Sequence, residues 1–464
     1  MEKITFVLVA LLLASFFLHF WGLEYPSEVV FDEVHFGKLA GFYFSGNYSF
    51  DIHPPLGKLI IAAGGYLTGF NPGFTFETIG LKYLDSSYYG MRFFPALLGS
   101  LLPLIIYLVI RKLGGSRKIG ILGMILLIFE NSLLVQSRII LFDIFILFFG
   151  LCGFLFYLYS REQKNRSRKF TYLIISGLFL GASFTVKLTG LVFWFLVFLL
   201  SLISLLRHLD HSRTKIKPTL IFIFSLIVIP IAFYISIFAI HFPLLPYSGV
   251  GDAFMSQRFQ STLINNVNYK PDVQMGFVEK FAELNKEMLA ANSRITANHS
   301  YSIKWYEMPI MGRPIYYWNK ADGNTMARIY LLGNVFVWWL VLVGMFCLIG
   351  IMVFSFVKRR RIYFLKREFI IVLTAGYLLN WLIFAFMSRA IFLYHYFPSL
   401  VLGIILFCLV FEKRLVNKKS RSRYFYWVII GFVIFGFLFF SPLTYGWQLD
   451  ENTYSLLAWF SSWR

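Results

Sequence analysis

The sequence predicts an all-α polytopic membrane protein. Of its 464 residues, 58% are hydrophobic and only 14% are charged, and the mean hydropathy is +0.69. The apolar residues fall into runs of about 20, the length that crosses a bilayer, with short basic segments between them. Eleven spans are expected, at 4–22, 93–110, 119–135, 139–159, 170–186, 188–206, 218–240, 329–357, 369–387, 391–411 and 425–441. The nearly continuous stretch 170–206 is divided at Lys187-Leu188-Thr189-Gly190. The first span starts weakly basic and lacks a small-residue cleavage site, so it reads as a retained helix and not as a signal peptide.

Basic runs set the orientation. They occur at Arg111-Lys112 with Arg117-Lys118, across 161–169, across 207–217, at Lys358-Arg359-Arg360-Arg361 and across 413–423. With a cytoplasmic N-terminus, eleven spans place every run inside and the C-terminus outside. The net charge of +20 thus belongs to topology, and no nucleic-acid-reading motif accompanies it. Cys152, Cys347 and Cys408 all lie in apolar spans, which implies packing and neither a disulfide framework nor a metal site.

Two long loops are expected outside. The first, 23–92, contains Leu56–Phe70, apolar but too short to span, which reads as a re-entrant or interfacial helix. The second, 241–328, carries Phe277, Phe281, Leu284 and Met288 at helical spacing, an amphipathic helix lying on the membrane. No repeat and no separate soluble domain is expected; residues 1–464 form one transmembrane unit.

The chemistry concentrates in the first loop. Phe31-Asp32-Glu33-Val34-His35-Phe36-Gly37-Lys38 and Asp51-Ile52-His53-Pro54-Pro55-Leu56-Gly57-Lys58 place carboxylates, imidazoles and amines just outside the membrane. Ionisable groups inside spans are expensive and mark function. Glu130, Arg138, Asp143, Lys187, His241, Arg389, Tyr394 and His395 all map to the outer third of the membrane, which predicts one cavity open to that face. Cations in a low-dielectric pocket bind phosphate, and a neighbouring carboxylate can take a proton from an attacking hydroxyl. The combination fits group transfer from a lipid phosphate to a hydroxyl. No P-loop or dinucleotide-binding glycine pattern is present.

These residues resemble the protein O-mannosyltransferases, membrane glycosyltransferases of the GT-C fold. The resemblance rests on the two first-loop segments quoted above. It also rests on Phe129-Glu130-Asn131-Ser132 through Arg138 to Leu141-Phe142-Asp143, on Ser183–Leu191 around Lys187, and on Ser248–Ser256. Phe392-Leu393-Tyr394-His395-Tyr396-Phe397-Pro398, and Ser302-Ile303-Lys304-Trp305-Tyr306 through Arg313-Pro314, complete it. The second loop is too short for the MIR domain of eukaryotic members, so the chain resembles the compact prokaryotic form.

The resemblance implies inverting transfer of mannose from a polyprenyl- or dolichyl-phosphate donor to Ser or Thr hydroxyls of secreted or membrane proteins. The work would take place on the extracytoplasmic side of the cell membrane. Asp32 is expected as general base, and Glu33, the other member of the catalytic pair, is expected to orient the acceptor or to pair with Arg138. Arg138, Lys187, His53, Arg389, His395 and Tyr394 are expected on the donor phosphate or sugar. His35, Lys38, Lys58, Asp143, His299 and Arg313 are support or acceptor-side candidates. No obligate metal is expected. Oligomeric state, acceptor sequence and polyprenol length stay open. A lipid or polysaccharide acceptor is the alternative; a transporter of the lipid-linked sugar is a minor one, since no inverted repeat is visible.

Overall fold

The computed structural model describes residues 2–211, 216–294, 299–358, 367–387, 389–416 and 420–464. In chain order the helices are α1 (Glu2–Phe20), α2 (Glu33–Ser45), α3 (Leu56–Leu67), α4 (Tyr89–Lys112), α5 (Arg117–Ile128), α6 (Asn131–Ser137), α7 (Asp143–Glu162), α8 (Arg166–Val186) and α9 (Leu191–His211). They continue as α10 (Ile216–Ile223), α11 (Ile229–His241), α12 (Gln257–Gln260), α13 (Phe277–Arg294), α14 (Val335–Val357), α15 (Arg367–Leu382), α16 (Phe397–Leu415), α17 (Ser420–Tyr445) and α18 (Glu451–Leu457). Among the described residues nine helices are long and apolar enough to cross a membrane, and the bent pair α5–α6 makes a tenth if counted as one span. The expected span 4–22 is α1, whose apolar part, Ile4–Phe20, is short for a crossing. The basic residues 359–361, and 212–215 and 417–419 of the neighbouring runs, lie outside the described residues.

The all-helical expectation misses a small antiparallel sheet, ordered β1 (Ile315–Asp322), β2 (Thr325–Leu331), β3 (Gln448–Leu449). A two-residue turn joins β1 to β2, and Gly323 supplies its positive φ of 55°. The predicted span 329–357 therefore starts late: α14 begins at Val335, capped by Asn334, whose side chain accepts from Phe336 N at 3.1 Å.

Buried polar residues shape the bundle. α5 and α6 meet at 61°, and Glu130 sits at the break. Its carboxylate accepts from Leu133 N (2.7 Å), Ser132 Oγ (2.8 Å), Asn334 N (2.9 Å) and Trp338 Nε1 (2.8 Å). It is a helix cap and a tether to α14, not a cavity group. The short apolar helix expected at 56–70 is α3, which packs against α4. A Cβ on Gly64 would lie 2.1 Å from the Gly90 carbonyl oxygen, so the two backbones touch where both residues lack side chains. The amphipathic helix α13 buries Leu284, Met288 and Ala291. Phe281 meets Phe238 and Tyr234 of α11 at ring distances of 5.1 and 6.0 Å, so α13 packs on the protein.

Candidate active site

A cavity of about 730 Å³ opens where α2, α7, α8, α9, α13, α15 and the turn before α16 converge. Asp32, His53, Asp143, Lys187, His299, Arg389, Tyr394 and His395 line it, which unites eight of the residues singled out in the sequence. Its remaining wall is largely apolar and includes Leu188, Val192, Phe195, Ile383 and Phe384.

Asp32 owes its position to the segment before it. Phe31 stacks on Tyr317 of β1 at 4.1 Å, and its N–H donates to the Tyr317 carbonyl at 3.1 Å. Phe31 adopts φ +44°, a conformation that costs a non-glycine residue energy and is held only where the surroundings fix it. Asp32 stands at the N-cap of α2, yet its carboxylate makes no capping hydrogen bond. Burial pushes the Asp32 pKa up to about 6; Asp143 adds to the rise, while His35 and Lys187 oppose it. The carboxylate is thus ionised at neutral pH and more basic than an ordinary aspartate.

Lys187 breaks the α8–α9 stretch where the sequence predicts. Its Nζ donates to Asp143 Oδ1 at 3.0 Å and lies 5.2 Å from the Tyr394 ring centroid. The other oxygen of Asp143 accepts from Gln136 Nε2 at 2.6 Å, and Gln136 Oε1 accepts from Tyr317 OH at 2.6 Å. Arg389 Nη1 donates to Asn292 Oδ1 at 2.6 Å, while its buried Nε has no partner among the described residues. Lys58 Nζ bridges Asp51 Oδ2 (2.8 Å) and the His53 carbonyl (2.9 Å), which fixes the loop that presents His53. Burial lowers the His53 pKa to about 3, with Lys187 and Lys58 adding to the fall against Asp51, so the imidazole is neutral.

Six expected site residues lie outside the cavity lining. Glu33 is fully buried. Its carboxylate binds Arg92 through Nε (2.8 Å) and Nη2 (2.9 Å), and accepts from Val30 N (2.8 Å), Tyr83 OH (2.9 Å) and Ile140 N (3.0 Å). It fastens the first loop to α4 and to the start of α7. Arg138 is no phosphate ligand in this geometry. Its guanidinium donates to the carbonyls of Leu18 (3.2 Å), His19 (3.0 Å), Trp21 (2.7 Å) and Gly22 (2.8 Å), capping the C-terminal end of α1. His35 and Lys38 are exposed on α2, Lys58 supports His53, and Arg313 precedes β1 with its Nε buried. His241, expected to face the same cavity, bonds Tyr43 OH at 2.8 Å instead. Arg92 was missed because it is the last residue of the expected loop, directly before the predicted span 93–110. Asn292 and Asn380 also line the cavity, and as neutral residues they gave no charge signal. Among the described residues no three His, Cys, Asp or Glu side chains gather to hold a metal ion.

Residues 9–246 match the family model for dolichyl-phosphate-mannose-protein mannosyltransferases. The chain belongs to this family. Residues 277–463 match a second model, the C-terminal four-span region of protein O-mannosyltransferases. The chain is 35% identical over 312 residues to protein O-mannosyl-transferase 2 of Danio rerio, covering 66% of this chain and 40% of that protein. It is 38% identical over 277 residues to dolichyl-phosphate-mannose–protein mannosyltransferase 4 of Schizosaccharomyces pombe, covering 57% and 35%. The matches thus span less than half the length of these relatives. In fold, the chain superposes on the Saccharomyces cerevisiae Pmt1-Pmt2 complex bound to the sugar donor with a TM-score of 0.90 at 22% identity, covering 100% of this chain and 93% of that one. The oligosaccharyltransferase AglB of Archaeoglobus fulgidus matches with a TM-score of 0.53 at 15% identity, over 98% of this chain and 57% of that one. The architecture is the GT-C fold of a multi-pass membrane protein.

Proposed function

We propose that this chain is a mannosyltransferase that moves mannose from a polyprenyl- or dolichyl-phosphate donor to Ser or Thr hydroxyls of proteins, at the outer face of the cell membrane. The observation that carries the reading is the half-buried carboxylate of Asp32, which makes no capping hydrogen bond and lines the same largely apolar cavity as Lys187 and Arg389. Family membership and the relatives' names support the same reaction.

In the proposed step the acceptor hydroxyl attacks the anomeric carbon as Asp32 takes its proton. The bond between that carbon and the phosphate oxygen breaks, and the lipid phosphate leaves with the electron pair. A single displacement inverts the anomeric centre and needs one base, with no second carboxylate as nucleophile. Lys187, held by Asp143, and Arg389, held by Asn292, supply positive charge for the departing phosphate. Neutral His53, with His395 and Tyr394, lines the sugar side. The apolar wall accommodates the first isoprene units.

Purified protein offered polyprenyl-phosphate mannose with either a Ser/Thr-rich peptide or a glycolipid tests the reading. Mannosylated peptide is the expected product. Transfer to the glycolipid alone would replace the acceptor class, and no consumption of donor would remove the proposal.

A further inference from the structure

A second cavity, of about 800 Å³, lies at the opposite ends of α7, α8 and α9, three of the helices that border the first. Asp143 starts α7 in the active site, and Tyr157, Ser160 and Arg161 end the same helix in the second cavity. At 1.5 Å per residue the two are separated by about 20–27 Å along α7. Arg161, Arg166, Lys169 and Lys217 line the second cavity together with Ser160, Ser167 and Ser204. The acidic neighbour is Glu368 of α15, 3.7 Å from Arg161. Arg166, Lys169 and Lys217 are exposed and have no ion-pair partner among the described residues.

Beneath these cations the lining turns apolar, through Phe170, Leu173, Ile221 and Phe222. The backbone is irregular here: Phe224–Val228 forms a π turn between α10 and α11, and its Ser225 and Leu226 line the cavity. Single π turns recur at functional sites. Beside the opening, α10, the start of the candidate span Ile216–His241, exposes Ile216 (76%), Leu220 (59%) and Ile223 (40%). Cations at the membrane end of an apolar cleft, flanked by an apolar helix face, match an amphiphile with a phosphate headgroup.

We propose that this cavity binds the phosphate headgroup of an anionic membrane lipid, with the acyl chains laid along α10. The site is separate from the transfer reaction and does not depend on it.

The test is lipid retention. The full chain is reconstituted in mixed phosphatidylcholine and phosphatidylglycerol, extracted, and its bound lipids are counted by native mass spectrometry. The triple variant Arg166→Gln/Lys169→Gln/Lys217→Gln is compared with Arg117→Gln/Lys118→Gln/Arg423→Gln, which removes equal charge from other basic runs. The expected result is a preference for phosphatidylglycerol that falls roughly tenfold in the first variant and persists in the second. Equal losses in both variants would reduce the effect to general surface charge and overturn the proposal, as would wild type without a preference. If inorganic phosphate occupies the wild-type site with an affinity that phosphatidylglycerol does not exceed, the ligand is a free anion and the lipid proposal falls.

Discussion

Glu33 is the sharpest point at which the geometry and the sequence pattern part. The motif sets it beside Asp32, to orient the acceptor or to pair with Arg138; the fold pairs it with Arg92 instead and makes it the anchor of the first loop. Glu33 and Arg92 both have fully buried side chains. Arg92 also donates to the carbonyls of Pro26 at 2.9 Å and Glu28 at 3.1 Å. Glu33→Gln removes the charge that compensates Arg92 and replaces one acceptor oxygen with an NH2 group. Whichever way the amide turns, that NH2 faces at least two donors, since each oxygen of Glu33 accepts from Arg92 and from a backbone N–H. Breaking one partner of a buried pair costs about 3–5 kcal/mol. Glu33→Gln and Arg92→Leu are each expected to lower unfolding stability by that amount, measured by denaturant titration in mixed micelles. The double variant Glu33→Leu/Arg92→Leu should recover part of the loss, because no charge is then left unpaired. Transfer should fall in step with stability as Asp32 loses its frame. A Glu33→Gln protein within about 1 kcal/mol of wild type but inactive would refute the anchoring argument and return Glu33 to the chemistry.

Four further outcomes follow from the same geometry. Transfer should rise with pH through about 6 as Asp32 ionises. Because its folded pKa lies above the ordinary value, Asp32 withdraws stability as pH rises from the unfolded value to about 6, so Asp32→Asn should raise the melting temperature at pH above 6 and leave it unchanged in acid. A variant that melts lower than wild type above pH 6 would contradict this. Lys187→Met should raise the KM for donor and leave Asp143 unpaired, and Lys187→Arg should restore part of the donor affinity; unchanged donor kinetics in Lys187→Met would show that Lys187 does not meet the phosphate. Gly64→Val should push α3 from α4 and destabilise by about 1–3 kcal/mol through overpacking, visible in the same titration.

Hydropathy and charge carried the bundle well, since a bilayer forces long apolar helices and basic loop residues mark one side. Lys187 was placed at a helix break because a lysine between two apolar runs has nowhere else to go. The sheet escaped because the apolar end of β2, Ile329 to Leu331, was read as the start of the span 329–357; the Asp322-Gly323 turn signal was the clue. Charge patterning picked out Asp32, Asp143, Lys187 and Arg389, which line the cavity, but it could not sort cavity-lining groups from caps. Arg138, Glu130 and Glu33 are as polar and as deeply placed as the cavity residues, yet each satisfies backbone groups at a helix end or loop. That difference depends on which carbonyls and N–H groups lie within about 3 Å, and one-dimensional spacing does not encode it.

The most direct test is transfer of radiolabelled mannose from polyprenyl-phosphate mannose to a Ser/Thr-rich peptide, by purified wild type and by Asp32→Asn. Label on the peptide with wild type, and near-complete loss in a folded Asp32→Asn that still binds donor, is the predicted result. Full transfer by Asp32→Asn would contradict the assignment of Asp32 as the base.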